Sequence, residues 1–175
     1  MIWLPEQNDR LHARFPGFRT LLLEPRRAVW EGVLKPTSQT YDVRIDFELP
    51  AHFALNATTY EYYPRVYVLR PELEEHPDYE LGPIPHVWWD RRYRRQPNLC
   101  LFRPLRNEWC WDDPIADTTL PDASEWLFFY EFWLATKRWR GGGEHACDPL
   151  KSNDNSETLS RDALSATGKA ALAGR

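Results

Sequence analysis

The feature that most constrains the fold is a stretch in which apolar and charged side chains alternate without a break. The apolar members are Tyr41, Val43, Ile45, Phe47 and Leu49, and every residue between them is charged. In an extended strand a period of two places one set on each face, so the apolar set would face a core and the charged set water. The stretch therefore predicts a half-buried strand of an antiparallel sheet.

Three further strands are predicted around this stretch. They cover Thr20–Glu24, Arg27–Leu34 and Pro64–Leu69, and a short helix over Asp9–Phe15 precedes them. The connections between the first three strands are short, which favours a meander in which consecutive strands are neighbours. We therefore expect an α+β fold in which a four-stranded antiparallel meander packs on helices.

The segment from Pro71 to Pro121 differs from the strands before it. It is rich in proline and aromatic residues and shows little periodicity, and its eight prolines argue against a long helix. A compact domain rarely contains so long an irregular segment unless it has a functional role. This segment is therefore where we expect a functional site.

A second helix is predicted to follow. Asp122 is expected as its N-cap, with Glu125 three residues later in a capping box, and its end is expected near Lys137. The apolar residues at helical spacing are Trp126, Leu127, Phe129, Tyr130, Trp133 and Leu134. We expect this stripe to pack against the sheet as core rather than to bind a ligand.

Composition narrows the class of protein. The 175 residues carry a net charge of -4, so the chain as a whole does not attract nucleic acid or anionic lipid. No apolar run approaches the ~18 residues of a membrane span, and the N-terminus does not resemble a signal peptide. Three cysteines make a poor disulfide framework, which favours a cytoplasmic protein with reduced thiols.

We expect one domain over residues 1–147 and a disordered tail over 148–175, where small polar residues dominate and aromatic residues are absent.

Cys100 is the residue of the irregular segment that is the strongest candidate for covalent chemistry. Its apolar neighbours in the run Leu99–Phe102 favour a buried structural cysteine. The proline-rich surroundings and the amide of Asn98, two positions earlier, favour a reactive one. A reactive cysteine needs access, together with groups that support its thiolate or the oxyanion formed on attack. The residues alone leave both interpretations open.

The order of elements and a series of short motifs together resemble the ubiquitin-conjugating family, and most closely its prokaryotic branch from bacterial antiphage operons. In chain order the motifs are His86-Val87-Trp88, Leu99-Cys100-Leu101-Phe102-Arg103-Pro104, Trp109, Ile115-Ala116-Asp117, Trp126-Leu127, Tyr130-Glu131-Phe132-Trp133 and Gly141-Gly142-Gly143-Glu144-His145. The resemblance covers residues 20–147 and implies a ubiquitin-conjugating-enzyme (UBC)-like fold. The chain departs from the family in its longer loop between His86 and Cys100. It also lacks the asparagine of the family's His-Pro-Asn motif.

The resemblance implies a transferase with a cysteine thioester intermediate. Cys100 would hold the C-terminal carboxyl of a partner protein until a lysine amine attacks it. His86 would be a catalytic residue or would hold the loop by hydrogen bonds. Asn98 would take over the role of the missing asparagine, which supports the active-site loop or the oxyanion.

Three further positions complete the implied site. Trp109 occupies the place of a tryptophan that follows the family's cysteine, and Trp88 completes the motif that begins at the histidine. Conjugating enzymes often have an acidic residue downstream that helps a lysine lose its proton, and Asp113 is the candidate here, flanked by Asp112 and followed by Asp117. All three aspartates would also suit a solvated loop.

The resemblance also implies partners. In antiphage systems of the CBASS type, such proteins act on the C-terminus of a cGAS-like nucleotidyltransferase. A carboxylate needs activation before it forms a thioester, and this chain has no glycine-rich adenylating domain. Either a separate activating enzyme supplies the acyl group, or Cys100 takes it from a peptide bond. We expect no cofactor, no metal, no membrane and no nucleic acid.

A zinc site is one alternative. Its ligands would be Cys100, Cys110, His145 and Cys147, but the chain lacks the tight Cys-x-x-Cys pair typical of such sites. We expect Cys110 to be a small buried residue between two tryptophans and Cys147 to be an exposed thiol.

A binding module is a second alternative. Residues 88–95 interleave aromatic residues with four arginines, a composition that can stack bases and neutralise phosphates or bind an acidic protein. A third possibility is an inactive scaffold in which Cys100 serves only for packing.

Overall fold

The computed structural model describes residues 1–50, 62–76, 82–89, 96–103 and 108–142. The expected tail over 148–175, the expected boundary at 147 and the arginine-rich residues 90–95 lie outside these ranges. In the described ranges the fold is α+β, with two helices and an antiparallel sheet. Neither of these helices is long and apolar enough to cross a membrane.

The sheet has six strands in the described part of the chain, in the spatial order β1-β2-β3-β4-β6-β5. They are β1 (Arg19–Leu23), β2 (Arg27–Leu34), β3 (Tyr41–Glu48), β4 (Arg65–Arg70), β5 (Val87–Trp88) and β6 (Asn98–Leu99). The first four form the predicted meander, but the prediction of a four-stranded sheet is wrong. The two additional strands have two residues each, too few for an alternating pattern to appear in the sequence.

The face of β3 that the sequence predicts as buried forms part of the core. Its residues Tyr41, Val43, Ile45 and Phe47, and Leu49 just beyond the strand, are each at most 1% exposed. Ile45 lies between Trp30 of β2 and Val66 of β4, both of which are 0% exposed. The core therefore continues sideways across three strands.

The opposite face of β3 departs from the prediction at one position. Asp46 is buried instead of facing water. Arg27 of β2 donates to its two carboxylate oxygens, from Nε at 3.1 Å and from Nη2 at 2.8 Å. This two-pronged contact compensates for the water that the carboxylate loses on burial.

The first helix, α1 (Leu4–Arg14), begins five residues before the predicted start at Asp9. Pro5 fits in its first turn, where a backbone N–H would have no helical partner. The buried face is formed by Leu4, Gln7 and Leu11, at helical spacing. A polar residue in the middle of this face obscures the stripe in the sequence.

The second helix, α2 (Thr119–Thr136), begins three residues before the predicted N-cap at Asp122, so the capping-box prediction is wrong. The Asp122 N–H donates to the Thr118 carbonyl at 3.0 Å, which places Asp122 inside the first turn. The predicted end is confirmed, since Lys137 is the C-cap. The predicted core stripe is confirmed at Trp126, Leu127, Tyr130 and Trp133, which are buried, while Phe129 and Leu134 are half-buried.

Candidate functional site

The edge of the sheet farthest from β1 consists of β5 and β6. Asn98 pairs with Tyr67 of β4 on one side and with Trp88 of β5 on the other. Directly opposed residues of neighbouring strands share a face, so these three residues lie on one face of the sheet. Val87 and Leu99 oppose each other on the core face. Asn98 is 1% exposed and Trp88 is half-buried.

Cys100 follows β6 directly, at a point where the chain turns. The Leu101 N–H donates to the Leu99 carbonyl at 3.1 Å, which makes Cys100 the centre of a three-residue γ-turn. The Cys100 N–H donates to the His86 carbonyl at 3.0 Å. Leu99 and Phe102 are buried, whereas Cys100 is only partly buried. The turn therefore fixes the backbone of the cysteine and leaves the residue partly accessible.

His86 holds this turn through its backbone. Its carbonyl accepts hydrogen bonds both from the Cys100 N–H and from Trp126 Nε1, the latter at 2.9 Å. Its φ of 51° lies in the left-handed region, which few non-glycine residues adopt. Its ring stacks on Trp139, with 5.2 Å between ring centroids. Carbonyl and ring thus tie the residue before β5 to α2 and to the segment that follows α2.

Trp126 connects α2 to His86, whose carbonyl also binds the Cys100 N–H. Its ring lies nearly parallel to that of Tyr130, with centroids 5.4 Å apart, and 5.5 Å from that of Trp139. Only 5% of the residue is exposed, so its single polar group, the indole N–H, needs a partner inside the protein. The sequence predicts Trp126 as core, which is confirmed, but gives no sign that its N–H would bind the carbonyl of His86.

Trp109 anchors the loop that leads to α2. Its ring centroid lies 5.3 Å from that of Phe47, 5.9 Å from that of Tyr63 and 6.2 Å from that of Phe102. The residue is 3% exposed, and its indole N–H donates to Thr118 Oγ1 at 3.2 Å. The loop and the segment after the cysteine therefore share one buried aromatic cluster.

Asp113 lies in a turn of this loop. Its N–H donates to the Cys110 carbonyl at 2.9 Å, and its Oδ2 accepts from the Cys110 N–H at 2.7 Å. Asp112 and Asp117 are exposed, and Asp117 contacts Arg14 of α1. The predicted site residues thus fall into two groups: His86, Trp88, Asn98 and Cys100 around the β5–β6 edge, and Trp109 and Asp113 in the loop.

The prediction that Cys110 is buried is wrong. Its neighbour Trp109 points into the core, but the turn from Cys110 to Asp113 directs the cysteine outward, and the residue is exposed. Partial desolvation of the sulfur and the nearby Asp113 carboxylate raise the pKa of the Cys110 thiol. A raised pKa leaves less of the nucleophilic thiolate at neutral pH.

Gln7 is a residue of this region that the sequence pattern does not single out. It is 1% exposed, its Nε2 donates to the Asp113 carbonyl at 3.0 Å, and its Oε1 accepts from the Ile115 N–H at 2.9 Å. A signal was present in the sequence, since a glutamine between Leu4 and Leu11 interrupts an apolar helix face. A buried amide needs specific partners, but the sequence does not say which.

The alternatives are addressed only in part by the described residues. Two of the four proposed zinc ligands, His145 and Cys147, lie outside them, and inside them no group of three or more His, Cys, Asp or Glu could hold a metal. Of the Trp- and Arg-rich segment 88–95, Trp88 is in β5 and Trp89 is 47% exposed, and the arginines lie outside the description.

Comparison with known proteins adds a family to this geometry. A comparison with curated proteins finds no match. A family model described as the type II CBASS E2 protein matches residues 7–146, a range that begins within α1 and includes the six described strands, the cysteine turn and α2. The chain therefore belongs to the type II CBASS E2 family, the E2-like conjugating proteins of CBASS antiphage systems.

Proposed function

We propose that Cys100 is the acceptor cysteine of this conjugating protein. The observation that carries the proposal is that Cys100 is the partly exposed centre of a γ-turn whose backbone is fixed by the His86 carbonyl. A nucleophile whose position is fixed in advance loses less entropy in reaching the transition state, which lowers the activation barrier. Of the two cysteines among the described residues, Cys110 is the more exposed, but its raised thiol pKa makes it the weaker candidate.

The proposed chemistry has two acyl transfers. In the first, the Cys100 thiolate attacks the activated C-terminal carbonyl of a partner protein. A C–S bond forms, the bond to the leaving group breaks, and the leaving group takes a proton if it is an amine. In the second, a lysine amine attacks the thioester. A C–N bond forms, the C–S bond breaks, the thiolate leaves and the amine loses a proton.

The residues around the cysteine divide the work in this proposal. The N–H groups of Cys100 and Leu101 both donate within the chain, so they serve to hold the turn rather than the oxyanion. Asn98 is buried between two strands, which suits support of the active-site loop better than direct contact with an incoming carbonyl. His86 positions the nucleophile through its carbonyl.

The second group of residues would act on the lysine. Asp113 has one carboxylate oxygen bonded to the Cys110 N–H, and its other oxygen would act as general base, taking a proton from the lysine nitrogen as that nitrogen attacks the thioester. Trp109 would hold this loop against the segment after the cysteine. Trp88, opposite Asn98 on the outer strand, would contact the partner's C-terminal segment.

The partner in this proposal is the C-terminus of a cGAS-like nucleotidyltransferase, and its conjugation to targets would prime antiphage signalling. The acyl group would come from a separate activating enzyme, or from a peptide bond that Cys100 itself cleaves. Membership of a CBASS family supports a partner encoded in the same operon.

The proposal is tested by co-expression of the protein with its genomic neighbours, followed by mass spectrometry of the purified chain. We expect a partner C-terminus linked to Cys100 through a bond that hydroxylamine cleaves. Cys100→Ser should trap an ester and Cys100→Lys an isopeptide, both of which resist mild thiols. Cys110→Ser is the matched control and should leave the thioester in place.

We expect Cys100→Ala to lose conjugation completely and Cys110→Ala to conjugate as much as the unsubstituted protein. If Cys100→Ala retains full conjugation, or if the adduct maps to Cys110, the acceptor assignment is wrong.

A further inference from the structure

Helix α1 carries two neighbouring side-chain amides that bond to different parts of the molecule. Asn8 faces the sheet, where its Oδ1 accepts from Thr20 Oγ1 at 2.6 Å and from Trp30 Nε1 at 3.0 Å. Gln7 faces the loop before α2, where it bonds to the backbone of Asp113 and Ile115. The same helix therefore docks on the sheet through one amide and holds the loop through the other.

The bonds of Gln7 enclose a proline. Pro114 has no N–H to donate, and the Asp113 carbonyl before it and the Ile115 N–H after it are the groups that Gln7 binds. A side-chain amide that donates to one peptide group and accepts from the next fixes both the position and the orientation of the backbone between them. Gln7 is 1% exposed, so water cannot substitute for its two partners.

Other contacts show that this is a seam between α1 and the loop. The Ile2 N–H donates to the Trp111 carbonyl at 2.7 Å, and Arg14 contacts Asp117 at the far end of the helix. Between these ends, the buried Gln7 donates to the carbonyl of Asp113 itself.

We propose that Gln7 is a positioning residue for the lysine-accepting step. It holds the backbone of Asp113 so that the carboxylate meets the amine that attacks the thioester on Cys100. This inference rests on the proposed function, since it assumes the thioester and the role of Asp113. Gln7 does not touch the cysteine turn, which is held by His86 and Trp126, so loading of Cys100 should not depend on it.

The test compares Gln7→Met with Asn8→Leu. Each change removes both hydrogen bonds of one amide while keeping a side chain of similar size on the same helix. The variants are co-expressed with the genomic neighbours, and the loaded proteins are purified and mixed with free lysine. Intact-mass spectrometry then gives the thioester occupancy, the rate of lysine discharge and the rate of hydrolysis by water.

The expected result is a fall of about tenfold in lysine discharge for Gln7→Met, in line with the cost of a misplaced catalytic group. The thioester occupancy of Cys100 and the rate of thioester hydrolysis should stay within about twofold of those of the unsubstituted protein. A twofold change in rate is too small to indicate lost positioning. Asn8→Leu should lower the melting temperature but leave the ratio of lysine discharge to hydrolysis unchanged. A purely structural role for Gln7 would alter both rates together.

Gln7→Glu provides a second variant should Gln7→Met not fold. Its carboxylate still accepts from the Ile115 N–H but repels the Asp113 carbonyl, so an intermediate fall in lysine discharge is expected. Unchanged discharge in either Gln7 variant, or an equal fall in Asn8→Leu, overturns the positioning role while leaving the thioester proposal intact. If the unsubstituted chain carries no thioester on Cys100, the proposed function fails and this inference with it.

Discussion

The strands β1–β4 and the pair β5–β6 belong to one sheet but are held in different ways. β2 and β3 pair over their full length, from Arg27 opposite Glu48 to Leu34 opposite Tyr41. β6 joins β4 at a single residue pair and joins β5 at two. The short pair is supported by two further hydrogen bonds. The Cys100 N–H and Trp126 Nε1 both donate to the His86 carbonyl.

This difference explains where a reactive cysteine can lie. A long ladder buries the side chains of one whole face and makes each residue part of a cooperative unit. A two-residue strand ends almost as soon as it begins, so the chain can turn at Cys100 and present it at the surface. The long strands thus supply stability, and the short pair supplies access at a fixed position.

The largest expected effect concerns the long strands. Ile45→Ala removes a fully buried side chain from the middle of β3 and should lower the free energy of unfolding by about 2–5 kcal/mol. Val33→Ala is the control, because Val33 lies in β2 but is 52% exposed, and it should change stability by no more than about 0.5 kcal/mol. Urea denaturation measures both. Equal losses of unfolding free energy in the two variants would contradict the assignment of Ile45 to the buried face and Val33 to the exposed face.

An intermediate effect is expected at the short pair. Trp126→Phe keeps an aromatic ring but removes the N–H that binds the His86 carbonyl, so the cysteine turn loses one of its supports. We expect a loss of about 1 kcal/mol in stability and a fall of about tenfold in the rate of thioester formation. The rate is measured by intact mass over time after co-expression is induced.

Trp30→Phe is the matched control for this prediction. It removes an indole hydrogen bond to Asn8 in the long-strand region, at 3.0 Å. It should lower stability by a similar amount and leave the loading rate unchanged. Equal loss of loading in the two variants would show that loading follows overall stability rather than the support of the turn.

The smallest effect lies on the outer face of the long strands. Glu31 accepts hydrogen bonds from Arg19 at 2.7 Å and from Arg44 at 2.6 Å. The Arg19 hydrogen bond lowers the pKa of Glu31, Arg44 lowers it further, and burial opposes both. Because the folded pKa lies below the unfolded value of about 4.5, this stabilisation is present above that value and is lost as pH falls through the folded pKa.

Glu31→Gln should therefore destabilise the protein at neutral pH by at most about 1 kcal/mol, since Arg19 is largely exposed and screened by solvent. At a pH well below 4.5 the variant and the original should have nearly equal stability. Urea denaturation at the two pH values measures this, and a difference that persists in acid would rule out the ionised carboxylate as the cause.

The regular parts of the fold could be predicted because their signals repeat. The sequence predicts a strand over Arg27–Leu34, the bounds that β2 has, and it predicts the buried face of β3 residue by residue. The ends were harder, as the early starts of α1 and α2 show, because a proline in a first turn looks like a break in the sequence. The motifs and their order point to Cys100, and its role as acceptor stays a prediction.

The α+β class, the meander and the aromatic core of α2 follow from the amino-acid order, because alternation and helical spacing are repeated over many residues. Three features become visible only in the folded chain: the strands β5 and β6, the His86 carbonyl that joins Cys100 to Trp126, and the contact of Gln7 with the loop. Each of these rests on a few contacts between separate segments of the chain; Gln7 and Ile115 are 108 positions apart. A single contact leaves no period in a sequence, so it appears only when the chain has folded.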